Sequence, residues 1–117
     1  MKKFISVMLV AAMAVTALTG CGSNSGSSSK KDADKYYIGG IGATAIYGTA
    51  VKNGAQIAVD EINAAGGING KQIEYRFEDD QNDAEKAVNA YNTLKDWGMQ
   101  MLVGTTTTAP CIAVAGK

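Results

Sequence analysis

Apolar residues follow three different rhythms along the chain, and each rhythm predicts a different structure. From Phe4 to Leu18 they run almost unbroken, interrupted by Ser6 and Thr16 and preceded by Lys2 and Lys3. A bilayer-spanning helix needs about 20 apolar residues. The run is short for a permanent anchor and has the length of the hydrophobic segment of an export signal, behind a positive N-terminus. From Gly22 to Lys35 there is no large apolar side chain, and Ser, Gly, Lys and Asp dominate. Such a segment cannot bury enough surface to offset its ordering entropy. The expected organisation is therefore a signal over 1–20, a polar tether over 21–35 and one folding unit over 36–117.

Within that unit the period switches between strand and helix. Tyr36–Ile41 is short, aromatic and β-branched, with glycines at its end, and reads as a buried strand entering a tight turn. Val51, Ala55, Ala58, Val59, Ile62 and Ala65 recur at steps of three and four and predict a helix, with Gly48 or Thr49 as N-cap and Gly66 just past its end. Gln72–Glu78 alternates Ile73, Tyr75 and Phe77 against Glu74, Arg76 and Glu78, the mark of a strand with one polar face at a sheet edge. Asp79–Asp83 follows as a loop, with Asp83 capping a second helix. Its stripe is Ala84, Ala87, Val88, Tyr91 and Leu94, and Gly98 is its stop. Met99–Val103 is a continuous apolar run, as in a strand covered on both faces, ended by Gly104. Thr105–Thr108 is a polar turn, and Pro110 suits the first turn of a third helix.

Strand and helix alternating three times predict an α/β fold: a parallel doubly wound sheet with helices on both faces. With the second strand at the edge, the spatial order is 2-1-3. Doubly wound sheets bind ligands beyond the C-terminal strand ends, where the strand order reverses. Here that crevice lies between the loop after the first strand, Gly40–Tyr47, and the threonine run Thr105–Thr108.

Charge and composition narrow the chemistry. The full chain balances 11 basic against 11 acidic residues. Losing a signal with Lys2 and Lys3 leaves it slightly acidic, and Arg76 is its one arginine, so no basic face exists to neutralise phosphates and no nucleic-acid partner is expected. With no histidine, the chain supplies neither Ser-His-Asp nor Cys-His catalysis nor a His-ligated metal. No nucleophile–base pair or metal cluster stands out, so no catalytic residue, cofactor or metal is expected. Two cysteines, Cys21 and Cys111, exclude a disulfide-rich scaffold.

Leu18-Thr19-Gly20-Cys21, placed directly after the apolar run, resembles the lipobox of bacterial lipoproteins. The resemblance implies cleavage before Cys21 and lipid, palmitate included, on Cys21. Three further stretches point to one family: Ala45-Ile46-Tyr47-Gly48, the run Asp60-Glu61-Ile62-Asn63 through Gly70-Lys71, and Val103 through Pro110. Together they resemble the substrate-binding lipoproteins of branched-chain amino-acid ABC transporters, of the type I periplasmic-binding-protein fold. That likeness implies a non-enzymatic receptor, lipid-anchored on the extracytoplasmic face of the cell membrane, which closes two lobes around a small amino acid and delivers it to an ABC permease. The likeness covers the beginning of the family's first lobe, so the chain is expected to be an N-terminal fragment, a truncated reading frame or a partial gene model.

Each candidate site residue has a structural reading beside its functional one. Threonine hydroxyls and backbone N–H groups at a helix N-terminus form an anion site. The resemblance places the ligand carboxylate at Thr106, Thr107 and Thr108, with Thr107 and Thr108 the best positions and Thr106 contributing mainly backbone; the plain alternative is a solvated turn with one capping threonine. Tyr47 would wall the ligand side chain, or else pack at a helix start. Asp79 and Asp80 read as a solvated loop that caps the next helix, and Cys111 as a small buried residue of the third helix. Two other functions stay open: a ligand-sensing receptor of the same fold, and an exported doubly wound enzyme or dinucleotide-binding domain. The latter is suggested by Gly40-Ile41-Gly42-Ala43-Thr44-Ala45, which fits G-x-G-x-x-A after a strand. Against it, the helical stripe begins only near Gly48, and Asp79 lies far beyond the acidic spacing of about 20 residues.

Overall fold

The computed structural model describes residues 32–117. The signal reading over 1–20, Cys21 and the tether up to residue 31 lie outside the described residues. The chain then runs β1 (Lys35–Ile41), a π-helical turn (Thr44–Gly48), α1 (Thr49–Ala64), β2 (Gln72–Glu78), α2 (Ala84–Trp97), β3 (Met101–Thr105) and α3 (Thr108–Ala115). The three strands form one parallel sheet of order β2-β1-β3, as the sequence pattern predicts. In register, Tyr36, Ile38 and Gly40 stand beside Ile73, Tyr75 and Phe77. Alternation then sends Tyr37, Gly39 and Ile41 to the opposite face.

That opposite face holds the core. Ile41 and Leu94 are fully buried beside the buried Ala90, and Tyr91, Trp97, Met99 and Leu102 pack around them. Burying an aliphatic side chain of this size contributes about 1.5–3 kcal/mol, so the β1–α2 contact is a principal anchor of the fold. Tyr37 meets Trp97 edge to face, with ring centroids 5.2 Å apart. Helix α2 is also the best-terminated element. Asp83 accepts a hydrogen bond from the Lys86 backbone N–H at 2.9 Å, Glu85 lies in the first turn and Lys95 in the last, and Gly98 closes the end.

On the other side α1 packs on β2 and ties down its outer edge. The Asn63 side chain accepts from Ile73 N–H at 2.7 Å and donates to Ile73 C=O at 2.8 Å. One amide thus satisfies both outward backbone groups of Ile73 on this edge strand, which gives Asn63 a structural task.

Three boundaries differ from the expected ones. Strand β1 begins at Lys35, inside the predicted tether, with Lys35 paired to Glu74 at 3.2 Å. Helical winding starts at Thr44, five residues ahead of α1; Gly48 takes the N-cap position of α1, one of the two residues expected there, but in helical backbone (φ −60°, ψ −35°) and with no side-chain capping bond. The apolar stripe missed this turn because Ile46 and Tyr47 face outward, 51% and 65% exposed. Strand β3 starts two residues later than read and runs through Gly104 to Thr105. Gly104 does not end it. It forms a bulge at φ +52°, where the register with β1 slips between Gly40 and Ile41. Nor is β3 covered on both faces: Met101 is 55% exposed.

Candidate functional site

The C-terminal ends of the three strands form a rim of closely stitched loops. The Gly42 N–H donates to Glu78 C=O at 3.2 Å, joining the end of β1 to the end of β2. A Cβ on Gly42 would lie 2.6 Å from Thr106 Oγ1, so the β3–α3 loop closes on the β1 loop only because residue 42 has no side chain. A Cβ on Gly48 would lie 2.6 Å and 2.7 Å from the Ala43 carbonyl carbon and oxygen. That carbonyl accepts from Ile46 N–H at 3.1 Å and from Gly48 N–H at 2.8 Å, which winds the π-helical turn. Gly48 therefore packs against its own turn.

The threonine run is divided among three roles. Thr105 is the last residue of β3, Thr106 abuts Gly42, and Thr107 takes the N-cap position of α3 in extended backbone (φ −130°, ψ 156°). Thr107 makes no side-chain capping bond; its carbonyl accepts from Cys111 N–H at 3.1 Å. The hydroxyls of Thr105, Thr106 and Thr107 are all buried, and none has a partner within the described residues. Thr108 opens α3 and is exposed. Pro110, fully buried, lacks a backbone N–H, so Thr108 and Ala109 supply the orphan backbone donors of the helix start. The rim thus offers several uncharged donors and a helix dipole to one small anion, with no lysine or arginine among these residues. Tyr47 belongs to the same rim, in the turn that Gly42 and Gly48 hold in place.

The carboxylates depart from expectation. Asp80 is fully buried rather than solvated. One oxygen accepts from Asn82 N–H at 2.9 Å and the other has no partner. The chain turns inward there because Gln81 and Asn82 adopt left-handed backbone, φ +51° and +60°. Asp79 is exposed yet firmly bound. It accepts from Thr44 N–H at 3.2 Å, from Gln81 N–H at 2.9 Å and from the Thr44 hydroxyl. The Thr44 hydroxyl first, and then the Gln81 N–H, hold its carboxyl below the usual value. Helix α2 is capped by Asp83 alone. Cys111 also corrects the expectation: α3 buries Pro110 and Val114, one turn apart, and leaves Cys111 exposed. The sequence places Gly42 and Thr44 in the crevice loop Gly40–Tyr47 but assigns neither a role there, and Asp79 reads only as loop; their contacts with Thr106 and with each other come from the structure. The signal was available in part, since a glycine pair followed by Ala-Thr marks a close approach, but its partner 64 positions on is a tertiary fact.

An apolar hollow of about 320 Å³ lies at the other end of the sheet, lined by Tyr36, Tyr37, Ile38, Ile68, Gln100 and Met101. It is remote from the rim and holds none of its polar groups. Among the described residues no group of three or more His, Cys, Asp or Glu gathers as a metal site, and no helix is long and apolar enough to cross a membrane.

The family model described as periplasmic binding protein matches residues 40–117. Over 74 residues the chain is 42% identical to the Leu/Ile/Val-binding protein BraC3 of Rhizobium johnstonii, covering 63% of this chain and 20% of that protein. The leucine-, isoleucine-, valine-, threonine- and alanine-binding protein of Pseudomonas aeruginosa is 40% identical over 63 residues, 54% of this chain and 17% of its own. Among solved structures, the branched-chain amino acid transporter substrate-binding protein LivJ of Streptococcus pneumoniae, in complex with isoleucine, superposes with a TM-score of 0.66 at 38% identity. That match covers 70% of this chain and 25% of LivJ. The chain therefore spans about a fifth of the length of the curated relatives it matches.

Proposed function

The chain belongs to the periplasmic binding protein family, and from that premise we propose that it receives a branched-chain or closely related amino acid outside the cytoplasm and passes it to the permease of an ABC importer. The observation that carries this reading is the row of three buried, unpartnered hydroxyls on Thr105, Thr106 and Thr107 at the start of α3. Buried polar groups are normally hydrogen-bonded, and a ligand carboxylate is the group that relatives named for leucine, isoleucine and valine would bring to them. In this reading Thr106 and Thr107 donate through hydroxyls and Thr108 through its backbone N–H. Tyr47 flanks the ligand side chain, and a second lobe supplies the partners of the ammonium. The protein performs no chemistry on its ligand; its work is capture and release. Cys21 carries lipid, palmitate included, which places the receptor at the extracytoplasmic membrane face, where two or more acyl chains hold it stably.

Titration calorimetry on the protein expressed from its own gene, with isoleucine, valine and glutamate, tests the ligand. Isoleucine and valine should bind saturably and glutamate should not. Absence of heat with every aliphatic amino acid would overturn the assignment. Membrane fractionation of Cys21→Ser with radiolabelled palmitate tests the anchor separately; unchanged membrane association and labelling would remove it.

A further inference from the structure

Thr44 is the first residue of the π-helical turn that carries Tyr47, and every polar group it has is engaged. Its backbone N–H and its hydroxyl both go to Asp79, while its carbonyl accepts from the Thr49 hydroxyl at 2.8 Å. The carboxylate at the other end is oriented by its own loop, because the oxygen that takes Thr44 N–H also takes Gln81 N–H at 2.9 Å. Gln81 is in turn held by Lys86 Nζ at 2.6 Å, so the chain of contacts reaches the first turn of α2. Asp79 thus joins two loops that are 35 residues apart in sequence and lie side by side at the rim. A charged acceptor taking three donors is stronger and more directional than neutral bonds, and its lowered protonation tendency agrees with that binding.

We propose that Asp79 is a positioning residue for the binding site: by gripping Thr44 it fixes the turn Thr44–Gly48 and so sets where Tyr47 stands against the ligand. This deepens the amino-acid-binding reading and rests on it for its consequence, although the latch itself is independent of any ligand. Without it the turn keeps its own local bonds, those to the Ala43 carbonyl and those from Thr49 to the Thr44 and Tyr47 carbonyls, together with the Gly42–Gly48 approach, but loses its tie to the β2–α2 loop, and Tyr47 is 65% exposed.

Two measurements on the protein expressed from its own gene decide the matter. Amide exchange without ligand reads the latch. Asp79→Ala and Thr44→Val should each speed exchange at Ile46 and Gly48 by roughly three- to tenfold, while Thr44→Ser stays near wild type and the Gln100 amide does not change. Unchanged exchange at Ile46 and Gly48, or equal acceleration at Gln100, would overturn the latch. Isoleucine binding reads the consequence. Asp79→Ala should weaken it by roughly three- to tenfold, and adding Asp79→Ala to Tyr47→Ala should cost nothing further, because the two act through one group. Losses that simply add would show that Asp79 does not act through Tyr47. Wild-type protein that binds no aliphatic amino acid would sink the receptor assignment, with the exchange experiment still judging the latch.

Discussion

Ile41 and Gly42 are consecutive, yet they belong to regions built on opposite terms. Ile41 closes a core in which Leu94 and Ala87 have no exposure and the buried cluster of Ile41, Ala90 and Leu94 is apolar. Gly42 opens a rim in which Thr105, Thr106, Thr107 and Asp80 keep buried oxygens without partners, and in which Ile46 and Tyr47 stand largely in solvent. In the core, propensity, patterning, capping and packing all agree. At the rim they conflict: hydroxyls are buried unpaired, and an N-cap threonine makes no capping bond. Local rules are usually broken where function compensates for the cost. The contrast therefore separates what holds this fold from what the fold holds ready.

If that division is real, substitutions in the two regions should have different signatures, and the largest effect belongs to the core. Leu94→Ala removes a fully buried side chain that packs under β1 and beside Tyr91 and Trp97. Changes of this kind cost about 2–5 kcal/mol. Denaturant unfolding followed by Trp97 fluorescence should show a loss in that range, with any weakening of ligand binding explained by the unfolded fraction. A loss below about 1 kcal/mol would mean that the core is not where stability resides.

Next in size is Thr107→Val, and here the sign for stability should reverse. The substitution exchanges a buried hydroxyl without a partner for a methyl group of similar shape. Removing an unsatisfied polar group is neutral or stabilising, whereas depriving a bound carboxylate of its donor costs roughly 1–3 kcal/mol. Calorimetry with isoleucine and denaturation of the ligand-free protein should therefore disagree, with affinity falling and stability holding or rising. A parallel loss of both would place Thr107 with the core and blur the comparison.

The same division marks how far the sequence could be read. Core elements declare themselves through local periodicity: Ile73, Tyr75 and Phe77 alternate, Ala87 and Leu94 lie on one helical stripe, and Asp83 and Gly98 punctuate α2. From these the order β2-β1-β3 follows, and the structure has it. The rim is assembled from loops whose contacts span the chain, and no local period records them. Asp80 looks like loop polarity until two left-handed residues turn it inward. Cys111 looks like core until α3 is seen to bury Pro110 and Val114 instead. Gly104 looks like a stop because a bulge and a strand end use the same residue. The threonines were legible as candidates through chemistry and resemblance; that three of their hydroxyls are buried without partners is a property of packing.

The smallest expected effect probes a polar contact at the rim's surface. The Thr44 hydroxyl, then the Gln81 N–H, hold the Asp79 carboxyl below its ordinary value near 3.8. A carboxyl lowered in the folded state binds fewer protons there than in the unfolded chain over the interval between the two values. Stability therefore rises with pH across that interval. The contribution of Asp79 is complete above its unfolded value, and so at neutral pH, and it is lost as pH falls through the lowered folded value. Because the carboxylate is exposed, solvent screening keeps this below about 1 kcal/mol, far less than Leu94→Ala. Comparing wild type with Asp79→Asn near neutral pH and at about pH 3 isolates it from the other carboxylates, which both proteins share. The wild type should be the more stable at neutral pH, and the gap should narrow in acid. A gap that is constant with pH would mean that Asp79 supports the rim by shape alone; a gap that widens in acid would contradict the direction of its shift.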